Sequence, residues 1–287
     1  MTAAMEGKVC LITGATSGVG KAAALRLAEM GATIIGVGRD RDRCRLATTE
    51  IQQASGNPAV KYLLADLSDQ DQVRLLADEF LSKNTRLDVL INNAGAFFLR
   101  RKVSAKGFEM TWALNHLSYF LLTNLLLERI MKSSPARIVN VASGSHYRGK
   151  INFDDLNLTR GYNGWKAYSQ SKLANVLFTY ELVRRVPDQS IAINTLTPGM
   201  IATRIGQNTG PVLRHLVKLF QSTSGKTPED GAEILVYLAS AEEAADFRGK
   251  FFREMKPVRS SAISYDEEIA QRLWEESERM MAKAKIG

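Results

Sequence analysis

The stretch Val9-Cys10-Leu11-Ile12-Thr13-Gly14-Ala15-Thr16-Ser17-Gly18-Val19-Gly20 decides how this chain folds. Val9–Thr13 is a short, almost wholly apolar run, the pattern of a strand covered on both faces. Val19–Met30 follows as a helix rich in Ala and Leu and stopped by Gly31. The glycines lie between the two. There they let the backbone turn sharply and come close to a ligand, and the helix start offers free N–H groups and a partial positive charge. Strand, glycine turn and helix in this order predict a pyrophosphate site formed by Gly14, Thr16, Ser17, Gly18, Val19 and Gly20. A P-loop is excluded, because that pattern needs glycine at 15 and Ser or Thr at 22, and both are alanine.

Outward from this unit the alternation repeats. Strands are expected at Thr33–Val37, Val60–Ala65, Leu87–Asn92, Arg137–Ala142 and Ser190–Leu196. Helices are expected at Arg41–Ala54, Gln70–Leu81, about Phe108–Lys132, about Trp165–Arg185, Val212–Gln221, Pro228–Ala239 and about Asp266–Ala284. Strand–helix alternation at this spacing means right-handed β-α-β units and a parallel sheet with helices on both faces. No repeat, low-complexity tract or linker interrupts it, so residues 1–287 are read as one domain.

At the end of the second strand a dinucleotide fold places an acid for a ribose 2′-OH, or a base for a 2′-phosphate. Here Gly38 occupies the acid position and Arg39 follows, which favours NADP(H) over NAD(H). Tyr168 and Lys172 share one helix face at i, i+4. A phenol titrates near 10, so acid–base work near neutrality requires lowering it by roughly 2–3 units. A neighbouring ammonium favours the phenolate. The fifth strand ends in Asn140-Val141-Ala142-Ser143, which puts a hydroxyl where open α/β sheets bind ligands.

The chain has 287 residues, 45% hydrophobic and 24% charged, which is a globular composition. Two cysteines and three scattered histidines (His116, His146, His215) exclude a disulfide scaffold and argue against any metal site. The formal charge is +8, yet aspartates interrupt the densest basic run, Arg39–Arg45, and no nucleic-acid partner is expected. The most apolar helical stretch, Leu117–Leu127, falls short of the roughly 20 residues that span a bilayer. With no signal-peptide pattern at Met1–Lys8, a cytoplasmic protein is the expectation.

Together these residues resemble the short-chain dehydrogenase/reductases over essentially the whole chain. The matching pieces are Thr13-Gly-x-x-x-Gly-x-Gly20, Asp66-Leu67, Asn92-Asn93-Ala94-Gly95, Asn115, Ser143, Tyr168-x-x-x-Lys172, and Pro198-Gly199 followed by Thr203. Asn115-His-Leu, the run Tyr168–Phe178 and Arg272-Leu-Trp-Glu-Glu-Ser-Glu resemble the retinol-dehydrogenase-like branch. The resemblance implies one doubly wound Rossmann domain with a seven-stranded, mainly parallel sheet. It implies hydride transfer between NADP(H) and a carbonyl or alcohol. Ser143 would bind the substrate oxygen, Tyr168 would move the proton, and Lys172 would lower the tyrosine's pKa and hold the nicotinamide ribose. Asn115 would hold a water linking Lys172 to solvent. Asp66 and Leu67 would meet the adenine, and Asn93, Ala94 and Gly95 would line the cofactor cleft. Pro198 and Gly199 would border the cofactor, with Thr203 at the nicotinamide carboxamide. A cofactor sensor without turnover is the alternative, and the intact Ser/Tyr/Lys set counts against it.

Two features depart from the family pattern. Ser143 and Tyr168 stand 25 residues apart, so an extra segment, about Tyr147–Asn163, is expected beside the site. It would cover a helix face that relatives use in tetramers, which favours a monomer or dimer. Animal retinol dehydrogenases carry an N-terminal anchor that Met1–Lys8 does not resemble, which turns the expectation away from retinol itself. In the stretch 200–226, apolar residues at Val212, Leu216 and Phe220 lie between glycine breaks. This reads as a substrate lid and predicts lipophilic aldehydes or ketones as substrates. His146 is a candidate pocket residue, and His116 is expected to pack on its helix. Cys10 is expected in the core and Cys44 on a surface helix. Phe97, Phe98, Tyr162 and Trp165 are read as pocket wall or core.

Overall fold

The computed structural model describes residues 4–199 and 227–284. The expected lid, its helix at 212–221 and Thr203 lie outside them. Among the described residues eight strands form one sheet: β1 Val9–Thr13, β2 Thr33–Gly38, β3 Val60–Leu64, β4 Val89–Asn92, β5 Ala136–Val141, β6 Ile191–Thr197, β7 Phe251–Arg253 and β8 Lys256–Val258. Their spatial order is β3-β2-β1-β4-β5-β6-β7-β8, parallel throughout except for β8. The helices are α1 Gly18–Glu29, α2 Arg41–Ser55, α3 Gln70–Lys83, α4 Met110–Trp112, α5 Ser118–Lys132, α6 Gly164–Arg185, α7 Pro228–Ser240 and α8 Glu267–Lys283.

Residues of the central strands alternate between two cores, as doubly covered strands must. Leu11, Ile35, Leu90, Ile138 and Ile193 pack toward α3, α5, α6 and α8. Cys10, Ile12, Ile34, Val89, Ile91 and Val139 pack toward α1 and α7, where Ile51 of α2 joins them. Chain order reverses direction between β1 and β4, and the crevice at that switch point is where open α/β sheets bind ligands.

Two differences from the sequence expectation have physical causes. The sheet has eight strands rather than seven, because β7 and β8 form a hairpin at its edge. Its two-residue loop, Glu254-Met255, has φ of +52° and +58°, the left-handed pair of a type I′ turn. That turn is usually signalled by Asn-Gly, and neither residue is present here. Second, the helix expected over 108–132 is broken by a π turn at Ala113–Leu117. Among the described residues no helix is long and apolar enough to cross a membrane, and no group of His, Cys, Asp and Glu could hold a metal.

Candidate active site

Loops at the carboxyl ends of β1, β2, β4, β5 and β6 converge with the first half of α6. Thr13 joins two of them. Its hydroxyl accepts from the backbone N–H groups of Asn93 (2.9 Å) and Ala94 (3.0 Å), while Asn93 Nδ2 donates to Thr13 O at 2.9 Å. Only glycine fits where these loops touch. Gly14 has φ +67°, and a Cβ on it would lie 2.9 Å from Ala94 Cα; one on Gly20 would lie 2.6 Å from Gly14 O.

The start of α1 differs from the starts of the other described helices that begin from a loop, α5 being a continuation of the π turn. Own-side-chain caps serve α2 (Asp40), α3 (Asp69), α4 (Glu109), α6 (Asn163), α7 (Thr227) and α8 (Asp266). Ser17 caps nothing, and the first turn of α1 holds no acid. Its leading N–H groups therefore have no side-chain acceptor, as an anion site requires. The Ser17 hydroxyl instead accepts from Arg43 Nη2 at 3.2 Å.

At Gly38 the acid position is closed. A Cβ there would lie 2.5 Å from Thr16 Cγ2 and 2.7 Å from Cys44 Sγ. Cys44 is thus buried beneath the turn, not on the surface as expected. Arg39 is exposed at the strand end, and Arg43 lies one turn into α2. The sequence reading named Arg43 only within the run Arg39–Arg45 and gave it no role; its place in the first turn after Arg39 was the available signal. Asp66 Oδ1 accepts from Ser68 N (2.9 Å) and Oγ (2.7 Å), so it shapes the turn after β3. Leu67 has its side chain in the core, which leaves only its backbone to meet a ligand.

Tyr168 and Lys172 are both buried on the site-facing side of α6. Lys172 Nζ donates to Val141 O at 2.9 Å and lies 5.8 Å from the Tyr168 ring centre and 5.7 Å from that of Tyr119. Burial pushes the Lys172 ammonium down to about 7. Burial also pushes the Tyr168 phenol up, and the neighbouring Ser143 hydroxyl pulls it partly back. The lowered phenol expected from the sequence is therefore not a property of the protein alone. Asn115 spends its amide on the protein: Oδ1 accepts from Ala96 N (2.9 Å), and Nδ2 donates to Ala96 O (3.0 Å) and Ser171 Oγ (3.1 Å). Gly95 borders both groups, since a Cβ there would be 3.3 Å from Asn115 Oδ1 and 3.5 Å from Lys172 Nζ.

Phe97 forms the wall beside the phenol, 5.9 Å edge-on from the Tyr168 ring and 4.7 Å from Trp165, which is 64% exposed. Phe98 is buried, and Tyr162 donates to its carbonyl at 2.8 Å. The inserted segment is fastened to α6, with Gln170 accepting from Asn152 N (2.9 Å) and donating to Leu156 O (3.1 Å). His146 is not a pocket residue. It is buried, Nδ1 donates to Ser143 O (2.7 Å) and Nε2 accepts from Ser261 N (3.1 Å), so it props the Ser143 loop. Past β6, Pro198 and Gly199 border a cavity of about 340 Å³. Asp230, Glu233, Ile234 and the Glu254-Met255 turn also line it.

The family profile described as short chain dehydrogenase matches residues 8–212. Human retinol dehydrogenase 13 is 42% identical over 97% of this chain and 86% of its own length. Human retinol dehydrogenase 14 is 42% identical over 98% of this chain and 88% of its own. A crystal structure of a Mycobacterium paratuberculosis protein, 33% identical, superposes with a TM-score of 0.77 over 96% of this chain and 94% of that one.

Proposed function

The chain belongs to the short-chain dehydrogenases, and from that premise we propose that it interconverts lipophilic aldehydes or ketones with their alcohols using NADP(H). The observation that carries this reading is the half-buried Ser143 beside the buried Tyr168 and Lys172 at the carboxyl end of the sheet, with Phe97 walling one side.

The residues present fit a dinucleotide. The bare start of α1 and the glycine contacts at 14 and 20 suit a pyrophosphate. The closed space at Gly38 disfavours the acid that would select NAD(H), while Arg39 and Arg43 suit a 2′-phosphate. Tyr168, Lys172, Asn93, Ala94 and Gly95 would border the nicotinamide end. A bound nicotinamide supplies or accepts the hydride.

This chain's residues manage the proton. In the reducing direction Tyr168 gives its phenolic proton to the carbonyl oxygen, which Ser143 holds by a second hydrogen bond. A phenol pushed up by burial is fully protonated at neutral pH, the state a proton donor needs. Lys172 then opposes the charge that forms. Burial lowers its pKa to about 7, and in its cationic form an ammonium near the ring favours the phenolate. Phe97 and its neighbours offer apolar contact, and the relatives named retinol dehydrogenases act, by those names, on a lipophilic alcohol.

The test is NADPH consumption with medium-sized apolar aldehydes and ketones, set against sugars and hydroxy acids, for wild type and Tyr168→Phe. The variant is expected to lose about 10²–10⁴-fold in kcat while NADPH binding is kept. No carbonyl-dependent consumption by the wild type, or an unimpaired variant, overturns the reading.

A further inference from the structure

The C-terminal segment Arg272–Glu278 stood out in the sequence and has no part in the chemistry above. In the fold it lies in α8, which packs against the π turn that carries Asn115. A π turn is rare and is frequently found at functional sites. Here it is pinned from two sides. On the active-site side Asn115 clamps Ala96 and Ser171, and Ser171 Oγ donates to Tyr168 O at 2.8 Å.

On the other side the next residue, His116, is wholly buried, and its Nε2 lies 3.0 Å from Ser277 Oγ on α8. Ser277 Oγ donates to Leu273 O at 2.8 Å, so in this arrangement the Nε2–H tautomer of His116 donates to Ser277 Oγ. Burial drives the imidazole pKa down to about 3, which keeps the ring a neutral hydrogen-bond donor across the working pH range. One turn earlier, Trp112 Nε1 reaches Met280 Sδ at 3.5 Å, again on α8.

We propose that α8 latches the π turn through the His116–Ser277 hydrogen bond, and that these two are positioning residues for Asn115 and through it for the Tyr168–Lys172 face. The inference rests on the reading of Asn115, Tyr168 and Lys172 given above. Losing the latch would let the π turn relax toward regular helix. That would rotate Asn115 away from Ala96 and loosen the Gly95-Ala96 loop beside Lys172.

The test compares three variants of the full chain. Ser277→Ala removes the acceptor, Ser277→Thr keeps a hydroxyl, and Arg185→Ala removes a different anchor of α8, the guanidinium stacked 4.4 Å from the Trp274 ring centre. Ser277→Ala is expected to lower kcat about tenfold, the equivalent of about 1.4 kcal/mol, with both KM values within twofold. Amide exchange at 113–117 and at Ala96 should quicken in the same variant. Ser277→Thr should restore both readouts, and Arg185→Ala should lower Tm while moving neither. If Ser277→Ala lowers Tm but leaves kcat and these amides as Arg185→Ala does, the latch is only structural and the proposal falls. If the wild type turns over no carbonyl, the proposed chemistry falls instead, and exchange at 113–117 alone decides the latch.

Discussion

Replacing Lys172 by Met should destroy activity and stabilise the protein in a way that depends on pH. The ammonium is only 3% exposed, and no carboxylate among the described residues pairs with it. Burial moves its pKa from the ordinary 10.5 to about 7. Between those values the unfolded chain holds a proton that the folded chain does not, so wild-type stability rises with pH through that window. Below about 7 both states are charged and the burial cost is at its full, constant value. Above about 10.5 neither is charged and the cost is gone. Each pH unit well inside the window is worth about 1.4 kcal/mol, so the gain from Lys172→Met should shrink by about 3 kcal/mol between pH 7 and pH 9.5. The two neighbouring phenols, Tyr168 and Tyr119, are both pushed up by burial and stay protonated over that range, so they cancel in the comparison. Val141 O, which loses its bond to Nζ, keeps Asn175 Nδ2 as a donor at 3.3 Å. Urea unfolding of wild type and variant, without cofactor, at four or five pH values measures the difference. A difference that stays flat from pH 7 to pH 9.5 would refute the argument, because it would mean Lys172 titrates as if in water.

Arg39→Ala and Arg43→Ala should each weaken NADPH binding roughly 10- to 150-fold, the value of one charge-assisted contact, while NADH binding barely changes. Fluorescence titration with both nucleotides measures this, and an equal loss for both would remove these arginines from any 2′-phosphate site. Gly38→Asp alone should not convert the protein to NADH but should weaken both cofactors, because its Cβ meets Thr16 and Cys44. Tight NADH binding by that single variant would show that the turn yields more easily than its packing suggests.

How far the sequence could be read depended on how local each signal was. β1, the glycine loop and α1 were legible almost to the residue, because strand, turn and helix each carry their own short-range pattern. The shared face of Tyr168 and Lys172 was legible from i, i+4 spacing on a long helix, whereas their roles came only from the family resemblance. The β7–β8 hairpin was not, because two three-residue strands show no periodicity and Glu254-Met255 adopts left-handed backbone without the usual residues. The π turn was hidden because one extra residue barely disturbs an apolar pattern as dense as that of 112–130. Cys44 was misplaced because its burial is set by Gly38, a neighbour only in space. Arg43 and the His116–Ser277 contact likewise depend on partners 26 and 161 residues away.

Two buried charges at opposite ends of the sheet, Asp88 and Lys172, are treated in opposite ways. At the amino end of β4, Asp88 is buried but fully answered. It accepts from Val9 N at 2.9 Å and from Arg86 Nε at 2.7 Å, and Lys8 lies 3.3 Å away. Burial alone would raise its carboxyl, yet the Arg86 contact and the Val9 N–H outweigh it and hold the group below the ordinary range. At the carboxyl end the chain leaves such groups unbalanced. Lys172 has no counter-ion among the described residues, the start of α1 has no side-chain cap, a π turn replaces regular helix, and Glu254 and Met255 hold positive φ. Each feature costs stability that an ordinary substitution could recover, and the amino end shows that this chain can satisfy buried charge. Costs that cluster at one end of a sheet, where loops from five strands meet, are what the binding and chemistry proposed for that end would require.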